Sequence, residues 1–388
     1  VASIAGGTFL LVTTEFLPIG LLTAMAKGLD VPSGQAGLTV TIPGVVAAVA
    51  APALTIAARR LNRRIVLLAL TALIIASNIV VAAAPNFSFL LSGRVLLGVG
   101  VGGLWSFAIA AGRRLVPEAS GARATSIISA GIGIGTVVGV PAGAMIGDWA
   151  GWRMAFAGTA VFGVAVLIAQ LALLPTLPAR QAISARRLFA MVHVPRARLG
   201  LVVATFVAGG HFVAYTFLEL FLRQVPQFDQ GMLGVALITY AVAGIIGAFA
   251  GEIAAKRGTR RAFVGVALLL GISVLLAAAF GDNGVLALIL ITLWGLAFGA
   301  VPVCNQIWMY EAAPELYEGG SALVVTVFQF ALALGALLGG VLVDEAGVAT
   351  AFAVSGFLSI AGAVAAGLFD RAPKAAAGSR SMLEEHIS

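Results

Sequence analysis

Apolar residues run through this chain in long, nearly unbroken stretches, without the alternation of a half-buried strand or the stripe of an amphipathic helix. A helix needs ~20 mainly apolar residues to cross a bilayer core. Such runs predict helices near 3–26, 35–58, 65–84, 87–111, 122–147 and 152–174. After a basic gap come helices near 199–222, 232–255, 262–280, 285–310, 321–343 and 348–369. Open strands are excluded because lipid leaves their backbone polar groups unsatisfied, and the runs lack the alternation of a barrel. The expected fold class is an all-α membrane protein with twelve transmembrane helices.

Composition sharpens this reading. Of 388 residues, 61% are hydrophobic and only 10% charged, against roughly 25% charged in soluble domains. One soluble core could not hide so much apolar surface. The 48 glycines suit helices that approach closely in lipid. Cys304 is the single cysteine, which excludes a disulfide framework, and His193, His211 and His386 are too scattered for a zinc site. The opening apolar run is too long for a cleavable signal and lacks a small-residue cleavage site.

The net charge of +7 raises the question of nucleic acid, but the placement of the charges argues for membrane orientation instead. With both termini taken as cytoplasmic, every Lys and Arg falls in the cytoplasmic loops or tail except Lys27, Arg153, Arg223 and the intramembrane Arg94. The positive-inside rule therefore predicts that orientation. No nucleic-acid partner is expected.

The chain is internally duplicated. One offset of 196 positions pairs Arg60 with Lys256, Arg64 with Arg260, Gly139 with Gly335, Gly143 with Gly339, Asp148 with Asp344, Gly151 with Gly347, and Phe156 with Phe352. Charged and aromatic matches at one offset make chance a poor explanation. The expected organisation is an N-terminal six-helix bundle over 1–174, a basic cytoplasmic linker over 175–198, a C-terminal six-helix bundle over 199–370 and a polar tail over 371–388. Parallel repeats of this kind place a substrate site at their interface, near the bilayer midplane.

Several segments carry a family resemblance. The loop after helix 2 reads TIAARRLNRR over 55–64, ending in Arg63 and Arg64, and the copy after helix 8 reads GEIAAKRGTRR over 251–261, with Gly251, Gly258, Arg260 and Arg261. Helix 4 carries RVLLG over 94–98. Helix 5 carries Gly131, Gly135, Gly139, Gly143 and Gly147 at four-residue spacing, with Pro141 among them. On these motifs the chain resembles the major facilitator superfamily, in its twelve-helix drug:proton antiporter group. The first loop is a degraded form of the family's G-x-L-x-D-r-x-G-r-r, with Arg59 at the acidic position and Asn62 at the second glycine. The second loop has Ala255 at the acidic position, so the gating ion pair that the resemblance implies is in question; Glu252 is the candidate to replace it. The glycine stripe is either the antiporter motif or a generic packing face. The segments TTEFLP (13–18), GHFVAYT (210–216) and GWR (151–153) are similar to the branch of bacterial sugar, arabinose and purine ribonucleoside efflux proteins. WGLAFGAVPV (294–303) leans toward the nucleoside exporters.

Ionisable groups at bilayer depth are functional candidates by default. Glu15 lies roughly 18 Å from the cytoplasmic face and Arg94 roughly 12 Å below the outer end of helix 4, from a rise of ~1.5 Å per residue. In a core ~30 Å thick these depths coincide, which predicts a Glu15–Arg94 pair, direct or through water. Burial favours the protonated acid and a nearby guanidinium favours the carboxylate, so such a pair suits proton coupling; a structural ion pair is the plainer alternative. His211 stands 196 positions after Glu15 and is a second proton-responsive group, a substrate partner, or a histidine satisfied by a neighbouring helix. Glu219 belongs nearer the outer mouth.

The expected substrate chamber is lined by Thr13, Thr14, Trp105, Ser106, Tyr215, Thr216, Tyr240, Asn305 and Gln329. An aromatic face with an amide suits a nucleobase or a flat drug better than a sugar. No cluster of nucleophile and base and no P-loop appears, so neither an enzyme nor an ATP-driven pump is expected. The function predicted is proton-coupled export of nucleosides, sugars or drugs by a monomer in the bacterial inner membrane. Its energy comes from the proton gradient and it needs no cofactor. A uniporter or a proton symporter importing a small polar metabolite is the alternative.

Overall fold

A computed structural model of the chain describes residues 1–178 and 190–369. Residues 179–189 of the expected linker and the whole polar tail lie outside the described residues.

Among the described residues, twelve helices are long and apolar enough to cross a membrane. They are α1 (Ala2–Gly20), α2 (Ser33–Ala57), α3 (Arg63–Ala82), α4 (Phe87–Arg113), α5 (Glu118–Ala150) and α6 (Trp152–Leu173), then α7 (Pro195–Tyr215), α8 (Gln230–Lys256), α9 (Thr259–Phe280), α10 (Gly284–Ala312), α11 (Leu323–Ala346) and α12 (Val348–Phe369). Polar caps start several of them. Asn62 accepts from the Arg64 N–H, Asn86 from Phe89, Asp229 from Met232 and Asn283 from Leu286, satisfying donors that helix geometry leaves free.

The repeat seen in the sequence is repeated in the packing. In the first half α2 packs on α4, α3 on α4 and α6, and α1 on α5 and α6. In the second half α8 packs on α10, α9 on α10 and α12, and α7 on α11 and α12. Across the halves, α2 lies along α11, and α8 meets α5. The turns that close α5 and α11 match as well: Gly151 has φ +88° and Gly347 φ +85°, a region that favours glycine.

The glycine stripe of α5 serves close approach to α1. Methyl groups added at Gly131, Gly135, Gly139, Gly143 and Gly147 would meet, in turn, Ala5, Phe9, Thr13, Leu17 and Leu21. In the second half, Gly335 and Gly339 meet Gly209 and Val213 of α7 at the equivalent positions. Pro141 lacks an N–H for the Val137 carbonyl, and a π-turn over Gly135–Gly139 precedes it.

The first expected helix, 3–26, is not continuous. The α-helix proper ends at Phe16, a 3₁₀ turn covers Leu17–Gly20, and a short helix Leu22–Leu29 follows. Pro18 is the reason: it cannot donate to the carbonyl four residues back. The seventh is also interrupted, without a proline, after Tyr215 and resumes as Leu218–Gln224.

Candidate functional site

The arginine-rich loops define a basic face; the other end of the bundle is called the opposite face. Four residues before Pro18 stands Thr14, and four before Pro43 of α2 stands Thr39, so both carbonyls lose their helical donors. Arg94 of α4 fills both places. Its Nη1 donates to the Thr14 oxygen at 2.9 Å and its Nε to the Thr39 oxygen at 2.6 Å, while Nη2 reaches the main-chain oxygen of Glu15 at 3.0 Å. The side chain is wholly buried. A planar guanidinium with its donors in a fixed fork suits this task.

This changes the expected pair. Arg94 meets Glu15 through the main chain, and its side chain makes no ion pair within 4.0 Å with the Glu15 carboxylate. The carboxylate turns to the other half. Gln329 of α11 donates from Nε2 to Glu15 Oε1 at 2.9 Å, and Trp105 of α4 stands beside the same carboxylate. The second oxygen, Oε2, is buried without a hydrogen-bond partner, as is Oε1 of Gln329. Glu15 and Gln329 thus join the halves at mid-depth.

Facing them from the second half is an aromatic cluster. His211 of α7 stacks on Phe298 of α10 and lies 4.8 Å from the Tyr215 ring. Tyr215 stacks on Tyr240 of α8 at 5.0 Å, and Trp294 of α10 packs edge-on to His211, Tyr215 and Tyr240. Phe16, next to Glu15, crosses the seam to stack on Phe212 at 6.0 Å. The Trp294 indole N–H donates to His211 Nδ1 at 3.0 Å. His211 Nε2, the Tyr240 hydroxyl and Asn305 Oδ1 are buried without partners.

The other expected lining residues are placed differently. Thr14 accepts from Asn78 of α3 at 2.9 Å, inside the first half. Thr13 lies against Gly139 of α5. The Ser106 and Thr216 hydroxyls donate to Gly102 and Phe212 on their own helices, each at 2.7 Å.

On the basic face, Arg63 donates to the Ala58 carbonyl at 2.6 Å and covers the Phe107 ring, and Arg64 donates to the Leu171 carbonyl at 2.6 Å. Both stay within the first half. Gly251 lets α8 approach Ala300 of α10, Gly258 turns the chain at φ +143°, Arg260 donates to the Gly367 carbonyl, and Arg261 is exposed. Glu252 pairs with Lys256 one turn away at 2.8 Å.

The opposite face carries a latch that the motifs did not reveal. Glu219 is buried; it accepts from the Thr23 hydroxyl at 2.7 Å and the Thr23 N–H at 3.2 Å, and pairs with Arg223. Thr23 and Glu219 are equivalents in the repeat, 196 positions apart. Arg223 also reaches Asp148 at 3.9 Å and Gln230 at 2.9 Å. Asp344 accepts from the N–H groups of Gly34 and Gln35 at 2.7 and 3.1 Å, capping the start of α2 from the other half. Its sequence signals were the repeat-matched acids Asp148 and Asp344 and the expected place of Glu219 near the outer mouth.

Two matched bundles with buried polar groups at their seam define a membrane transporter of the internally repeated kind. The chain belongs to the Major Facilitator Superfamily, whose profile matches residues 4–331 and 249–386. It is 31% identical over 350 residues, 90% of this chain and 88% of the relative, to the purine ribonucleoside efflux pump NepI of Salmonella paratyphi B and, at the same identity and coverage, to that of Salmonella typhimurium. Its fold matches the partially occluded inward-open xylose transporter XylE from E. coli with TM-score 0.75 at 14% identity, covering 96% of this chain and 97% of that one. The human organic anion transporter MFSD10 matches with TM-score 0.67 at 21% identity, covering 94% and 97%. The protein is therefore a multi-pass membrane transporter, and its relatives and fold are those of transporters, not enzymes.

Proposed function

We propose that the chain is a proton-coupled exporter of purine ribonucleosides or closely similar neutral molecules. It acts as a monomer in a bacterial cytoplasmic membrane, with the basic face and both termini in the cytoplasm. The observation that carries this is the Glu15 carboxylate, held at the seam by Gln329 of the other half, with its second oxygen buried and unpartnered. An intramembrane carboxylate in such a position is a natural proton carrier. The likeness to NepI supports the direction and the substrate class.

Coupling follows from hydrogen-bond chemistry. A carboxylate only accepts, so it takes one bond from the Gln329 amide and leaves the amide oxygen without a donor. A proton on Glu15 supplies that donor, and acid and amide then exchange two bonds across the seam. Protonation thereby favours the arrangement in which α1 and α11 are joined. In that arrangement Asp344, Glu219 and Arg223 close the opposite face. In the exporter proposed, this joined state is the one that faces the cytoplasm, and proton release there readies it for substrate.

The test is Glu15→Gln in proteoliposomes. Adenosine exchange should persist while uphill export driven by a pH gradient is lost. Full gradient-driven export by this variant would remove Glu15 from the coupling step.

A further inference from the structure

His211 has a fixed chemical identity that its neighbours dictate. An indole N–H can only donate, so the 3.0 Å bond from Trp294 requires Nδ1 of His211 to be the accepting nitrogen. The ring proton of the neutral imidazole must then sit on Nε2. That Nε2 is fully buried with no partner in the protein, and the Tyr240 hydroxyl in the same cluster is also buried and unpartnered. Buried donors without acceptors are costly and rare in folded proteins. The rings packed on His211 are Phe212, Tyr215, Trp294 and Phe298. Tyr215 is the titratable group in ring contact with it and Tyr240 lies one ring further, while Glu15 stands on the other half, bonded to Gln329.

We infer that His211 is a neutral Nε2–H donor for a ring acceptor nitrogen of the transported base, within the box formed with Tyr215, Tyr240, Trp294 and Phe298, and that it carries no coupling proton. The two halves then divide the work. The first holds the proton at Glu15 and the second reads the flat heterocycle: stacking supplies affinity, and one directional bond supplies selectivity, as sites that pair a substrate polar group do. This rests on the purine substrate class proposed above.

Uptake by inverted vesicles tests it with adenosine and its 1-, 3- and 7-deaza analogues, each analogue lacking one of the base's three ring acceptors. In the wild type one analogue should show a half-saturation concentration about tenfold above that of adenosine, the usual cost of one buried hydrogen bond. His211→Phe, which keeps the ring and removes the donor, should show about the same loss with adenosine and no further loss with that analogue. His211→Gln, which restores an N–H, should recover to within about threefold of wild type and leave the pH profile unchanged. Equal discrimination in wild type and His211→Phe, or none in either, overturns the assignment.

A second measurement is independent of substrate. With His193 and His386 replaced by Gln, nitrogen-15 NMR of the remaining histidine should show the neutral Nε2–H form from pH 5 to 8. An imidazolium or an Nδ1–H form in that range overturns the inference. If the wild type carries no purine nucleoside, the proposed substrate fails while this spectrum still decides the state of His211.

Discussion

The Arg94 guanidinium stands 2.6 Å from the Thr39 carbonyl, the oxygen that Pro43 deprives of its helical donor. The same side chain serves the Thr14 carbonyl, orphaned by Pro18. Its role is therefore to mend two proline breaks at once, in addition to placing a positive charge near Glu15.

Replacing Arg94 should expose this role. Arg94→Lys keeps the charge but cannot span three carbonyls, and leaving two of them buried and unpaired costs roughly 2–6 kcal/mol at about 1–3 kcal/mol each. The melting temperature in detergent should fall clearly. Glu15→Gln should melt close to wild type, since Arg94 holds only the Glu15 main chain. Equal melting of Arg94→Lys and wild type would show that the carbonyls find other donors.

The latch on the opposite face should set the balance between states. Asp344→Ala removes the acceptor for two N–H groups at the start of α2. Loss of a helix cap costs about 1 kcal/mol, so the population open at the opposite face should rise about fivefold. Spin labels at Lys27 and Glu345, on a Cys304→Ser background, would report this as a longer distance component by pulsed EPR. An unaltered distance distribution would mean that the Asp344 contact does not hold the face shut.

The helix glycines are not all alike, and alanine should sort the packed from the open ones. A methyl on Gly335 would strike the Gly209 carbonyl oxygen, a backbone atom that cannot step aside, so Gly335→Ala should lose about 1–3 kcal/mol by overpacking. Gly158 of α6 has nothing within 4 Å of an added methyl, and Gly158→Ala should be neutral or gain up to ~1 kcal/mol of helix propensity. Thermal unfolding of the two variants side by side checks the contrast; similar shifts would refute the packing argument.

The spans and the duplication were legible because lipid imposes them directly on residue choice. That Glu15 stands within the first span was legible too, and the structure finds it buried. What its carboxylate touches was not, because Gln329 reaches it only once two halves, 314 positions apart at that point, have docked. Thr13 and Thr14 show a second limit. Neighbours on a helix differ by about 100° in direction, and the sequence does not state which way α1 is rotated. Thr14 turns inward to Asn78 and Thr13 to Gly139. The defect that Arg94 repairs was partly readable: Pro18 and Pro43 announce free oxygens at Thr14 and Thr39, though not the donor that would come for them.

Thr23 and Glu219 are counterparts under the internal repeat and yet touch each other. Two points exchanged by a rotation can meet only where that rotation has its axis. The pseudo-twofold line therefore leaves the protein between this hydroxyl and this carboxylate, which makes them the stopper at one end of the route a cargo would follow. Identical acids facing each other at that spot would repel, so the stopper exists only because the copies have diverged there.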